Sequence, residues 1–209
     1  MKSNKEYRAQ ALAALKGNWT PSVLLVLVYC ILCVVPSMFG DQGTIGAFAS
    51  MAVSIVVAIP LGVGLFAGFR KISNGEEVRL FEYSFREGFN RWGHNVGGML
   101  LMGIYTFLWT LLLIVPGIIK SLSYALTPFI LTDKPELSAN ETIELSMKMM
   151  DGHKLDLFVI YLIFFGLSLL SVVTLFIGSF WLAPYMYVKL AAFYEDVKAE
   201  YESKQNVAA

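Results

Sequence analysis

The chain has 209 residues, 56% of them hydrophobic and 15% charged, where an ordinary soluble domain carries about 25% charged residues. Its 16 basic and 16 acidic residues cancel, so no overall charge draws it to nucleic acid, and its mean hydropathy is +0.61. Several apolar runs approach the ~20 residues a helix needs to cross a hydrocarbon core, which points to an integral membrane protein.

Residues 3–18 read as an amphipathic helix. Ser3 and Glu6 have the spacing of a capping box. Tyr7, Ala11, Ala14 and Leu15 share one face, while Lys5, Arg8 and Lys16 stay in water. Gly17-Asn18-Trp19 leads into a first apolar span at 21–38. The charged stretch ahead of it is too long for a signal peptide and further apolar segments follow, so a retained span is expected. Cys30 and Cys33 form a C-x-x-C in apolar surroundings, where packing is expected rather than metal or redox chemistry. A turn at Gly40-Asp41-Gln42-Gly43 precedes a second span at 45–69, which holds Pro60 and Gly64-x-x-x-Gly68. Small residues at that spacing let a neighbouring helix approach backbone to backbone.

Arg70-Lys71 stop this span, and Ser73 with Glu76 repeats the capping signature. Phe81, Phe85 and Phe89 recur every fourth residue among polar Glu82, Arg86 and Glu87, as in a second amphipathic helix lying on a membrane surface. A third span, 96–115, ends at Pro116-Gly117. The missing N–H of proline and the positive φ open to glycine predict a turn there into a fourth span, 118–131. Ser138 and Glu141 open a third amphipathic helix, with Glu141, Glu144, Lys148 and Asp151 on its wet face and Ile143, Met147 and Met150 on the other. A fifth span at 155–177 and a sixth at 180–197 follow, the sixth carrying Pro184-Tyr185 and Lys189, and a short polar tail closes the chain.

The fold class expected is all-α: a polytopic membrane helix bundle of six membrane helices in three hairpins, each hairpin preceded by an amphipathic interfacial helix. It forms a single integral membrane domain over 1–209, with pseudo-repeats at about 3–69, 73–132 and 138–197. Gly17-Asn18, Gly93-His94 and Gly152-His153 mark equivalent junctions. The turns near Asp41, Gly117 and Ser179 carry no Lys or Arg, and the cations gather at the opposite side, so both termini are expected in the cytoplasm. A four-span arrangement with 100–131 as one broken helix stays open as the rival.

ALKGNW near the N-terminus, LLLIVPGIIKSLSYALTPFILTD, ELSMKMMDGHKLDLF and LAPYMYVKLAAFY resemble a bacterial integral-membrane family known only as a domain of unknown function. The similarity covers nearly the whole chain. More distantly, the chain is similar to the membrane domain of some glycerophosphodiester phosphodiesterases, which anchors a catalytic domain that this sequence lacks. The resemblance implies a multi-pass protein of the bacterial cytoplasmic membrane and brings no catalytic or binding residues with it.

The sequence holds no H-E-x-x-H, no phosphate-binding loop, no dinucleotide fingerprint and no nucleophile elbow. His94 and His153 sit at equivalent helix entries and are expected to cap. Met147, Met149 and Met150 are expected to pack. No catalytic residue, metal or cofactor is therefore expected, and the chain is expected not to be an enzyme. Lys120 and Lys189 lie inside apolar helices, where a cation either serves a function or snorkels to the headgroups. The candidates for binding a lipid or solute are Lys189, Tyr185, Asp156 and Lys120, with Asp156 the expected partner of Lys189 across the last hairpin. The expected function is a non-enzymatic membrane protein that interacts with lipids or scaffolds envelope homeostasis. A small-solute or lipid transporter or channel is the alternative. Membrane lipids are the expected partners, with a second copy or another membrane protein as a further class.

Overall fold

The computed structural model describes residues 2–38, 43–174 and 176–208, and the regular structure among them is helical throughout. In chain order the helices are α1 (Asn4–Leu15), α2 (Trp19–Met38), α3 (Gly43–Val53), a π-helical turn (Ser54–Ala58), α4 (Ile59–Ser73), α5 (Leu80–Asn90) and α6 (Trp92–Leu112). Then come α7 (Ile114–Tyr124), α8 (Thr127–Asp133), α9 (Ala139–Met149), α10 (Lys154–Val173) and α11 (Ser179–Ala208). Apart from Gly43, the expected turn at 40–43 lies outside the described residues.

Two of the three expected capping boxes form. Ser3 and Glu6 close one at the start of α1, and Ser138 and Glu141 close another at the start of α9. The Ser73–Glu76 pair does not cap a helix. Ser73 instead ends α4, because Gly75 at φ +75° turns the backbone left-handed. The Gly75 N–H then donates to the Ile72 carbonyl and the Glu76 N–H to that of Lys71, satisfying the last turn of α4.

Within the stretch that α3 opens, Pro60 has no N–H to offer the Val56 carbonyl four residues back. The indole Nε1–H of Trp92 donates to that carbonyl at 3.0 Å, and the π-helical turn falls at the same place. Gly64-x-x-x-Gly68 finds its neighbour in α5. A Cβ on Gly64 would stand 2.0 Å from the Ser84 carbonyl oxygen, and one on Gly88 would stand 2.3 Å from that of Pro60. Pro60 thus faces Gly88 and Gly64 faces Ser84, so the two helices run antiparallel in backbone contact. The helix expected to lie on a membrane surface is thus also packed on α4: α5 buries Leu80, Ser84 and Gly88 against it and turns Phe85 and Phe89 outward. The amide of Asn95 ends α5 by donating to the Gly88 carbonyl at 2.8 Å and to that of Glu87 at 3.1 Å.

The turn expected at Pro116-Gly117 falls earlier. Leu113 is extended, with φ −160° and ψ 140°, and α7 starts at the next residue. Pro116 sits in the first turn of α7, where its missing N–H costs no helical hydrogen bond. Gly117 serves close approach rather than positive φ, since a Cβ there would lie 2.5 Å from Thr110 Oγ1 on α6. The expected fourth span is two helices, α7 and α8, broken at Ala125-Leu126. The expected polar tail is a continuation of α11, a helix of 30 residues.

Among the described residues, four helical stretches are long and apolar enough to cross a membrane: Gly46–Ser73, Trp92–Leu112, Ile114–Asp133 and Lys154–Val173. The pair Asn4–Leu15 and Trp19–Val34, bent by 94°, makes a fifth if taken as one span. The expected sixth, at 180–197, is not among them; Lys189, Glu195 and Asp196 interrupt its apolar character.

One polar network ties the helix ends together. The Asp133 carboxylate closes α8 and accepts from the Arg70 guanidinium of α4, from Tyr194 OH at 2.6 Å and from Lys198 Nζ at 2.7 Å on α11. Arg70 Nε also donates to Glu195 at 2.7 Å. Further along α11, Asp196 accepts from Lys2 Nζ at 2.8 Å and from Tyr7 OH at 3.0 Å, which draws α1 against α11. Around the network lie Phe129, Ile130, Phe193 and Val197 in one apolar cluster and Leu15, Leu25, Leu65 and Phe69 in another, with α11 contributing to both.

Gly64→Ala is expected to force α4 and α5 apart and cost about 1–3 kcal/mol, as overpacking does. Gly97→Ala, with nothing within 4 Å of the new methyl, is expected to be neutral or stabilising. Thermal unfolding of the two variants in detergent measures the difference. Ser138 holds the Glu141 carboxylate below the usual glutamate range, through its side chain first and its backbone N–H second. A carboxylate lowered on folding adds stability above its unfolded pKa and loses it as pH falls through the folded value. Hydrogen exchange should therefore show α9 opening more readily as pH drops below about 4.3, and Glu141→Gln should flatten that dependence.

Candidate functional site

On α11, Tyr185 and Lys189 are four residues apart and share one face, as do Ile163 and Leu167 on α10 and Asn4, Arg8 and Leu12 on α1. These faces, with Lys5, line a cavity of about 440 Å³. Lys189 is 2% exposed, and its Nζ lies 5.5 Å from the centroid of the Phe164 ring, within cation–π reach. Among the described residues no carboxylate stands within ion-pair distance of it. Among the described residues, the cavity wall carries Lys5, Arg8 and Lys189 and no acidic residue. Asn4 Oδ1 is buried without a hydrogen-bond donor among the described residues.

A second cavity, of about 360 Å³, shares Leu167 and Tyr185 with the first and continues past Trp19, Leu170, Ser171 and Trp181. The two share a wall at Leu167 and Tyr185; the first is lined by three cations and the second is mostly apolar. A long amphiphile with an anionic head matches that gradient of charge.

Of the four expected site residues, the structure brings Tyr185 and Lys189 together and separates the other two from them. Asp156 does not pair with Lys189. Its side chain is 60% exposed and stands 3.9 Å from His153 Nδ1. The register explains this: Asp156 belongs to the first turn of α10, whereas the cavity meets α10 at Ile163 and Leu167, further along the helix. A carboxylate in a first turn is favoured by the helix dipole instead. Lys120 lies over the Trp109 ring, 4.9 Å from its centroid, with Met147 Sδ at 3.8 Å. It is held by the α6–α7 hairpin and α9, away from the cavity.

Asn4, Lys5, Arg8 and Leu12 are the site residues that sequence reasoning missed. Their helical spacing was visible, but Lys5 and Arg8 read as a solvated face. Only the packing of α1 along α11 brings them to Lys189. Among the described residues no group of three or more His, Cys, Asp and Glu is placed to hold a metal ion. Cys30 and Cys33 are free thiols, His153 Nε2 lies 3.4 Å from Glu200, and His94 Nε2 is buried without a partner among the described residues.

Residues 92–201 match the model of a family described as "Protein of unknown function (DUF975)". No curated protein and no solved structure matches the chain, so the likeness to glycerophosphodiester phosphodiesterases gains no support. The matched region holds Ile163, Leu167, Tyr185 and Lys189 and leaves out the α1 side of the groove.

Because Lys189 and Asp156 are not paired, Lys189→Met and Asp156→Leu are expected to act independently. In a double-mutant cycle on unfolding in detergent, the coupling energy should stay within about 0.5 kcal/mol. Recovery of stability on adding Asp156→Leu to Lys189→Met would show a pair after all.

Proposed function

We propose that this chain, which belongs to the DUF975 family, is a non-enzymatic, lipid-interacting protein of the bacterial cytoplasmic membrane. The observation that carries the proposal is where its apolar surface lies. The outward-facing large apolar side chains concentrate on α3 with the π-helical turn, on the second half of α6 with the start of α7, and on α10 with the start of α11. Leu155 is 78% and Val173 84% exposed. Apolar surface of this extent is unfavourable in water and needs lipid or another protein to cover it. The charge asymmetry favours six membrane helices in three hairpins, with the bare turns outside and both termini in the cytoplasm; the sixth, α11, would carry Lys189, Glu195 and Asp196 in its first 18 residues.

The cavity at Lys189 is lined by three cations, Lys5, Arg8 and Lys189. The same buried cation in a groove favours transport of a lipid or small solute as the second reading, which flux across proteoliposomes separates from binding alone.

Single cysteines in a Cys30→Ser, Cys33→Ser background test the topology with an impermeant thiol reagent added to intact cells. Leu113→Cys and Ser179→Cys should be labelled from outside, and Glu141→Cys and Ser203→Cys only after the membrane is opened. Labelling of Glu141→Cys in intact cells overturns the six-helix arrangement.

A further inference from the structure

We infer that the cavity at Lys189 is the headgroup pocket for a phosphate-bearing anionic lipid, with one hydrocarbon chain of that lipid lying in the apolar groove between α10 and α11. The inference rests on the lipid-interacting function proposed above and narrows it to one class of lipid.

The first argument is the charge of Lys189. The residue is 2% exposed and no carboxylate among the described residues pairs with it, while a buried ammonium needs a counter-ion or a strong acceptor. The Phe164 ring offers only its face, at 5.5 Å. The second is the company Lys189 keeps. Lys5 and Arg8 line the same cavity and no acid does, so the protein leaves a local excess of positive charge that a phosphate oxygen can meet. The Arg8 guanidinium is a fork suited to two phosphate oxygens, and the two lysines act as point charges beside it. A zwitterionic head would bring its own amine into this cluster, where no carboxylate waits for it.

The third argument is shape. The cavity at the cations shares Leu167 and Tyr185 with a second, open and largely apolar hollow that reaches Leu170 and Trp181. A free phosphate leaves that apolar length uncovered, whereas an acyl or prenyl chain fills it and gains the hydrophobic free energy of doing so. Asn4, whose Oδ1 is buried without a donor among the described residues, lines the same cavity.

The test uses the full-length protein, purified in detergent and stripped of lipid, with binding counted by native mass spectrometry. The probes are dioleoyl phosphatidylglycerol, dioleoyl phosphatidylcholine and inorganic phosphate. One phosphatidylglycerol should be retained per chain, its affinity should fall as salt rises, and phosphatidylcholine and inorganic phosphate should bind at least about tenfold more weakly, the worth of one charge-assisted hydrogen bond. Lys189→Met should lose about tenfold in phosphatidylglycerol affinity with helicity unchanged, and Lys189→Arg should retain most of it. If Lys189→Met does not fold, the double variant Lys5→Gln, Arg8→Gln carries the test with the same expected loss, since both side chains are exposed. Equal binding of phosphatidylcholine, equal binding of inorganic phosphate, or unchanged binding in these variants overturns the inference. Carbonate extraction of membranes separates the two levels. A chain that stays in the membrane but shows no preference for phosphatidylglycerol overturns the headgroup pocket alone, while a chain released by carbonate overturns the membrane function with it.

Discussion

The structure depends on the meeting of Arg70, Asp133, Tyr194 and Lys198. A carboxylate at 9% side-chain exposure has given up most of its hydration, and that loss is tolerable only when several donors replace the water. Asp133 has three, one from α4 and two from α11. Removing any one of them leaves a buried charge short of partners, a change that costs about 3–5 kcal/mol where such pairs have been broken. The network therefore sets how far α4, α8 and α11 slide along one another. Tyr194 stacks on Phe129 of α8 with centroids 5.0 Å apart, so the apolar packing beside the network depends on the same register.

The groove inherits its geometry from this arrangement. Lys189 lies on α11 less than two turns before Tyr194, and the position of Tyr194 is set by Asp133. Two residues beyond Tyr194, Asp196 takes hydrogen bonds from Lys2 and Tyr7 and lays α1 along α11. That contact carries Lys5 and Arg8 to the cavity. The polar network and the proposed headgroup pocket are thus consecutive stretches of one helix, the first satisfied within the protein and the second left with cations that no carboxylate among the described residues pairs with.

Close helix approach is the other constraint. The α4–α5 and α6–α7 hairpins each depend on glycines whose missing Cβ admits a carbonyl oxygen or a threonine side chain. Dispersion contacts between such backbones need no water to be released, so they hold helices together in lipid as well as in a protein core. Phe85 and Phe89 are left outward by this packing, since the contact face of α5 is Leu80, Ser84 and Gly88, while Phe81 packs against the cluster of Leu25, Leu65 and Phe69.

The sequence alone determined that the chain is helical, that several of its helices are apolar enough for a membrane, where two capping boxes stand, and that Lys189 has an unusual place. Those properties are local: they depend on hydrophobic period, on residues three or four apart, and on the cost of a charge within an apolar run. The tertiary structure decided everything that depends on which surfaces meet. Gly64 and Gly68 announced a close contact but could not say that α5 makes it. Pro116-Gly117 announced a hairpin but not that Leu113 turns it, because the close pass of Gly117 by Thr110 exists only once α6 and α7 are packed. Asp133 read as the end of a helix and Arg70 as the end of a span; their pairing joins positions 63 residues apart. Lys5 and Arg8 are exposed as their spacing implied, but that they line one cavity with Lys189 needed α1 laid on α11, and Asp156 read as the partner of Lys189 until the register of α10 placed it elsewhere. Spacing along a chain encodes the face of one helix, and a site built from three helices also needs their relative depth and rotation, which the long-range contacts alone supply.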